Sequence, residues 1–164
     1  MRNPLPGLLG LMFPACAHPG ADGVPPPPPL DLMALERPRT PNHALAGPTG
    51  KHPRPVDALT EPFPFPPATL FQVIRRAMAF VPNLHPLALH PAIHQAHYVA
   101  RSRLCNFPDL LCLQALPGGR DGESHLVAWS RSVYGHHDFR ANLRRIHDCL
   151  AEIAIEAEAE RRKG

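Results

Sequence analysis

The sequence predicts an α+β domain: a small antiparallel sheet of about three to five strands with an N-terminal helix and a long C-terminal helix packed on it, preceded by a proline-rich, largely irregular segment. Three observations predict it. The chain carries 23 prolines against 11 glycines, and they crowd its first part, leaving scarcely a proline-free window long enough for a helix between Met1 and Pro67. Beyond Pro67 two stretches place apolar residues at helical spacing, and the residues between them alternate as strands do. Strand runs bracketed by helices, rather than interleaved with them, lack the signature of a parallel sheet.

Taken in order, Met1-Arg2-Asn3 and the apolar run to Ala15 look like an export signal. Residues 1–24 are therefore read as an export-signal-like or disordered leader. Three readings stay open: lipid attachment at Cys16, cleavage after Ala17, or a misplaced start codon that leaves the segment disordered and the chain cytoplasmic. The first two put the protein in the periplasm or on a membrane as a lipoprotein. No run of about twenty apolar residues is present to span a bilayer. Pro25 to Pro29 are consecutive prolines, which lack amide donors and favour an extended rod, so residues 25–60 read as a proline-rich linker.

Residues 61–155 read as the folded domain and 156–164 as a charged helical tail. Pro67 sits where a helix tolerates proline, and Leu70, Phe71, Ile74, Met78 and Val81 give that helix one apolar face ending before Pro82. Ala96–Cys105 and His125–Val133 alternate, Leu110–Leu116 is short and apolar, and Pro117-Gly118-Gly119 and Asp121-Gly122 mark the last turn. A further strand is open near Phe63–Phe65 or Leu87–Leu89. Asp138 is placed to cap a final helix whose Phe139, Leu143, Ile146, Leu150 and Ile153 form a core stripe. The expected core is Leu70, Phe71, Ile74, Leu111, Leu113, Leu126, Phe139, Leu143, Ile146 and Leu150. About a hundred residues can bury such a core without a metal or a disulfide, so no cofactor is called for by stability.

Lys plus Arg is 17 and Asp plus Glu is 14, a net charge of +3. That balance, with no basic tract interleaved with aromatics, argues against a nucleic-acid binder. Cys16, Cys105, Cys112 and Cys149 follow no CxxC spacing and read as small buried hydrophobes, with a disulfide between Cys105 and Cys112, which flank the expected hairpin, left open. Eleven histidines are the unusual number. His90, His94 and His97 lie close together, as do His136, His137 and, further on, His147, but none has the helical pair spacing of a zinc hydrolase. Ser130 and Ser132 lack the glycine-flanked elbow of a hydrolase nucleophile. Cys105 is a nucleophile candidate only if Arg103 lowers its pKa.

With Cys105 paired near Leu110 and Leu116 near His125, alternation puts Arg101, Arg103, Cys112, Gln114, Trp129 and Arg131 on one sheet face, and Leu111, Leu113, Leu126 and Ala128 on the other. Three guanidinium groups beside an indole could grip a carboxylate or phosphate, or simply pair with Asp109 and Asp138 to brace the fold. Asp138, Asn142 and Arg145 fall at i, i+4 and i+7 and can meet one another at the helix start.

The run Ser130–Arg145, with Tyr98–Leu104 and Asn106–Asp109, resembles the family known as domain of unknown function 1499, found in bacteria and plant plastids and without an assigned activity. Its pattern is matched by Arg131, Gly135, Asp138, Asn142 and Arg145. His136-His137 departs from it, as does Arg140, where glycine is common. The Arg37–Pro48 segment is similar to one that follows the export signal in Gram-negative members. The resemblance implies a fold and a place in the cell envelope but no mechanism. The expected function is a non-enzymatic, envelope-associated binding or scaffolding module. Its candidate site comprises Arg101, Arg103, Asp109, Trp129, Arg131, Asp138, Asn142 and Arg145, and its partner is another protein or a small anionic ligand. The alternative is a metal-dependent hydrolase built on the histidines.

Overall fold

The computed structural model describes residues 10–163. The strands are β1 (His43–Pro48), β2 (Ala58–Thr60), β3 (Leu84–His90), β4 (Gln95–Arg101), β5 (Pro108–Pro117) and β6 (Ser124–Ser132), and the long helices are α1 (Pro67–Met78) and α2 (Ala141–Arg161). They form one sheet in the order β2-β1-β6-β5-β4-β3. β1 and β2 run parallel, and all other neighbours are antiparallel.

The α+β class is as expected, but the sheet has six strands rather than three to five, and it is mixed. The excess comes from the segment read as a linker, residues 25–60. The stretch Asn42–Gly47 is free of proline and, although too short for a helix, is long enough for β1. β3 forms around Pro86 because it lies at the sheet edge, where a missing amide donor costs nothing; the β3–β4 register shifts between Pro86 and Ala88.

α1 starts at Pro67, where proline costs no helical hydrogen bond, and its buried side chains Leu70, Phe71, Val73, Ile74, Ala77 and Met78 turn one face to the sheet. α2 buries Ile146, Cys149, Ile153 and Ala157 beside it, and Leu143 and Leu150 pack at the margin. These two helices share one sheet face with Leu111, Leu113, Leu126 and Ala128. Arg76 of α1 ties the helices together through Glu156 and Glu160 (2.6 Å to the latter). The charged helical tail is continuous with α2 as far as Arg161.

One expected core residue is elsewhere: Phe139 is 85 % exposed. The helix begins two residues after it, at Ala141. Phe139 and Arg140 both take left-handed backbone conformations, with φ of 51° and 62°, which rotates the ring out of phase with the stripe it matches in sequence.

The second sheet face is covered too. Leu45, Cys112, Val127 and Trp129 pack there against Leu32, with Leu30, Met33, Leu35 and Val56 around them. The covering chain belongs largely to the proline-rich segment. It is held by side chains rather than by a ladder: the Gln95 amide accepts from Leu30 N at 2.8 Å and donates to Leu30 O at 2.7 Å, and His52 donates to Leu32 O at 3.0 Å.

Candidate functional site

Four of the eight residues singled out in the sequence meet at the start of α2. Asn142, fully buried, is the centre. Its side-chain amide donates to Asp138 Oδ2 (2.7 Å), Ser132 Oγ (2.9 Å) and Asn42 O (3.0 Å), and its carbonyl oxygen accepts from Ser130 Oγ (2.6 Å) and Arg145 (2.8 Å). Arg145 also forms an ion pair with Asp109 at 2.6 Å, with both side chains largely buried. The i, i+4, i+7 spacing legible in the sequence delivers this meeting, and β5 and β6 supply Asp109, Ser130 and Ser132. Asn42, unforeseen, closes the network from the start of β1; its own amide donates to Gly135 O at 2.7 Å. Asn42 sits inside the presumed linker, so nothing in its local pattern marked it.

Asp138 caps α2 from two residues before its N-cap. Its carboxylate accepts from Arg140 N and Asn142 N, both at 2.9 Å, and its carbonyl accepts from Ala141 N at 2.9 Å. Burial alone would raise the pKa of this carboxyl group, but the hydrogen bonds from Asn142 and Arg140 outweigh it and hold the value below the ordinary aspartate range. Asp138 is therefore charged at neutral pH.

Beside this network lies a cleft of about 370 Å³, lined by Phe13, Phe107, Tyr134, Phe139, Ser102, Asp109, Ser132, His137 and Asp138, among others. Three rings form one wall: Phe13 lies 5.3 Å from Phe107 and 5.0 Å from Tyr134, centroid to centroid. Phe139 is the fourth ring. Non-glycine residues in the left-handed region cost about 1 to 2 kcal/mol each. Here Asp138 holds the turn from one side, and Arg144 donates to Phe139 O at 2.7 Å from the other. Gly135, with φ of 88°, makes the preceding bend.

The other four residues lie elsewhere. The alternation did place Arg101, Cys112, Trp129 and Arg131 on one sheet face. The Leu116–His125 pairing is as expected, whereas Arg101 pairs with Pro108, so the β4–β5 register differs by an even number of residues and the face is preserved. No three-arginine surface results. Arg101 is buried at the end of β4, and its guanidinium donates to the carbonyls of Ala15, Gly20, Asp22 and Asn106. Arg103 lies in the exposed turn beyond the strand. Trp129 is buried under the proline-rich cover, its ring 4.9 Å from that of His43. Arg131 is exposed and lines the mouth of a smaller cavity of about 240 Å³ beneath the cover.

The same packing fixes the N-terminal segment. Cys16, the residue read as a lipid acceptor, is fully buried, and Asn106 donates to Cys16 O and His18 O, both at 2.8 Å. Attachment through this thiol requires the segment to leave Arg101 and Asn106. No helix among the described residues is long and apolar enough to cross a membrane.

Among the described residues, groups suited to nucleophilic chemistry are not assembled. Cys112 Sγ lies 3.7 Å from His97 Nε2, the nearest approach to a thiol–imidazole pair. That nitrogen already donates to Gln95 Oε1 (2.9 Å), because the Gln95 amide nitrogen is directed at Leu30 O and Gln114 Oε1. An Nε2 that carries a proton cannot take another from the thiol, and burial pushes the Cys112 pKa up. Ser130 faces Asn142 and Arg145 rather than a base. Among the described residues no three His, Cys, Asp or Glu side chains are grouped to hold a metal ion. His90 and His97 approach to 5.2 Å and His136 and His137 to 4.7 Å between ring centroids, as pairs only.

No family model and no curated protein matches the chain. Solved structures that resemble it include the di-domain aromatase/cyclase StfQ of the steffimycin biosynthetic pathway, at 9 % identity and a TM-score of 0.45 over 63 % of this chain and 46 % of that one. This chain thus spans under half the length of StfQ. Another is TTHA0849 from Thermus thermophilus, at 13 % identity and a TM-score of 0.36 over 62 % of this chain and 95 % of that one.

Proposed function

We propose that this protein is a non-enzymatic binding module that takes a small molecule in the cleft at the start of α2. The observation that carries the reading is Phe139. A large apolar side chain in phase with a core stripe is instead held exposed by two consecutive left-handed residues, at the edge of a cavity whose other wall is aromatic. Exposed apolar area and stored backbone strain both cost stability, and both fall where a ligand would be clasped. The volume lies in the range of small-molecule sites, and a few polar groups converge on a mainly apolar lining. The polar network beneath is held by many internal hydrogen bonds around Asn142, which suits a rigid floor better than a reacting group.

The test is a protein-observed NMR screen of small aromatic and aliphatic compounds against the protein and its Phe139→Ala variant. Phe139 is exposed, so the variant keeps its fold. Bound compounds should shift the ring resonances of Tyr134 and Phe107 and lose affinity about tenfold in the variant, the worth of one ring contact. Hits that leave those rings unmoved, or that bind the variant equally well, overturn the assignment.

A further inference from the structure

We propose that the ligand of this cleft is an organic cation, a compact molecule with an apolar or aromatic body and an ammonium group. The inference rests on the cleft being a binding site and goes further by fixing the sign of the ligand's charge. The carboxylates Asp109 and Asp138 both line the cleft, and no arginine or lysine does. Arg145 does not line the cleft and is committed to Asp109, Asn142 and Ser130. Asp109 uses only Oδ2 on that arginine, and among the described residues its Oδ1 accepts no hydrogen bond. Ser102, Ser132, Tyr134 and His137 add groups that can donate as well as accept, so the fixed formal charges on the lining are those of the two carboxylates.

The helix start does not reverse this. A free helix N-terminus offers amide donors to an anion, but here Asp138 has taken the amides of Arg140 and Asn142 with its carboxylate and that of Ala141 with its carbonyl. An incoming anion would meet two carboxylates there, with those three amides already taken. An ammonium group would meet the opposite: carboxylate oxygens below and the faces or edges of Phe13, Phe107, Tyr134 and Phe139 around it. Aromatic rings attract a cation through their quadrupole, and the attraction grows when water is displaced. Tyr134 is fixed in the wall by accepting a hydrogen bond from Ala15 N at 3.3 Å, so the rings need no large rearrangement to receive it.

The experiment uses three probes of one shape, 3-phenylpropylamine, 3-phenylpropanol and 3-phenylpropanoate, titrated into the full chain and followed by the Tyr134 and Phe107 ring resonances. The amine should bind about tenfold more tightly than the alcohol, the size of one charge-assisted or cation–π contact, and the carboxylate should bind most weakly. Phe139→Ala should weaken the amine while Phe139→Tyr retains it. Equal affinity for amine and alcohol, or preference for the carboxylate, overturns the cationic assignment and leaves the cleft standing as a binding site. If none of the three moves the rings, both the assignment and the cleft reading fall.

Discussion

The two faces of the sheet are closed by opposite means. On one, α1 and α2 lay regular apolar stripes over Leu111, Leu113, Leu126 and Ala128. On the other, an irregular proline-rich strap covers Leu45, Cys112, Val127 and Trp129. Helices satisfy their own main-chain groups, so their face needs only shape and hydrophobicity. A strap does not, and partners are supplied for it: from the sheet Gln95 pairs with both polar groups of Leu30 and His90 donates to Pro27 O at 3.2 Å, and from the loop after β1 His52 donates to Leu32 O. The prolines reduce the number of donors that must be matched. Non-periodic chain can thus close a sheet face when fixed polar side chains stand in for a ladder, and the stability of that face then depends on those few groups.

The faces should fail differently. The largest effect is expected on the helix side, where Arg145→Leu strands the Asp109 carboxylate beneath α2. Removing one partner of a largely buried ion pair costs about 3 to 5 kcal/mol, readable as a lowered urea midpoint with one cooperative transition. Replacing Asp109 with Leu as well should recover a good part of that loss. No recovery in the double variant would mean that the network matters through Asn142 rather than through its charges.

On the strap side the weak point is acid. His97 is pushed down from 6.5 to about 4, first by burial and then by the neighbouring His90. Because buried His97 resists protonation while the same imidazole exposed by release of the strap does not, the contribution is fully present above pH 6.5, declines as pH falls and is gone below about 4. The loss amounts to at most about 3 kcal/mol. Trp129, the only tryptophan in the chain, sits under the strap and reports it. Its emission should shift to the red between pH 6.5 and 4 while the helical circular dichroism holds. His97→Gln, with no titratable group, should flatten that response; an unchanged response places the acid-labile group elsewhere.

What the sequence made legible divides along the same line. Helix and strand periodicities of 3.6 and 2 carried the helix face, and parity placed Arg101, Trp129 and Arg131 on one side even though the β4–β5 pairing was misjudged, because an even shift leaves every side chain on its face. The strap was not legible. Its contact from Leu30 to Gln95 and, in the network at α2, that from Asn42 to Asn142 span 65 and 100 residues, and no local pattern encodes them. The polar network was half legible: helical spacing brought Asp138, Asn142 and Arg145 together, but the position of Phe139 on the same stripe predicted burial. Local periodicity cannot anticipate a turn held against its intrinsic preference by an aspartate and an arginine.

That turn sets the smallest and most diagnostic test of the contrast between regular and irregular closure. Arg140 has φ of 62°, and its own side chain makes no hydrogen bond or ion pair among the described residues. Glycine takes this conformation without the clash that a Cβ brings, so Arg140→Gly should stabilise the protein by about 1 kcal/mol, after the greater freedom of glycine in the unfolded chain is deducted. The sign matters more than the size. Glycine is destabilising at a helical position, so a loss of stability would mean that α2 extends back through residue 140 in solution and carries Phe139 into the core. A gain means that the chain holds a strained residue where an unstrained one would serve, and that Phe139 is kept at the edge of the cleft against the preference of its own helix.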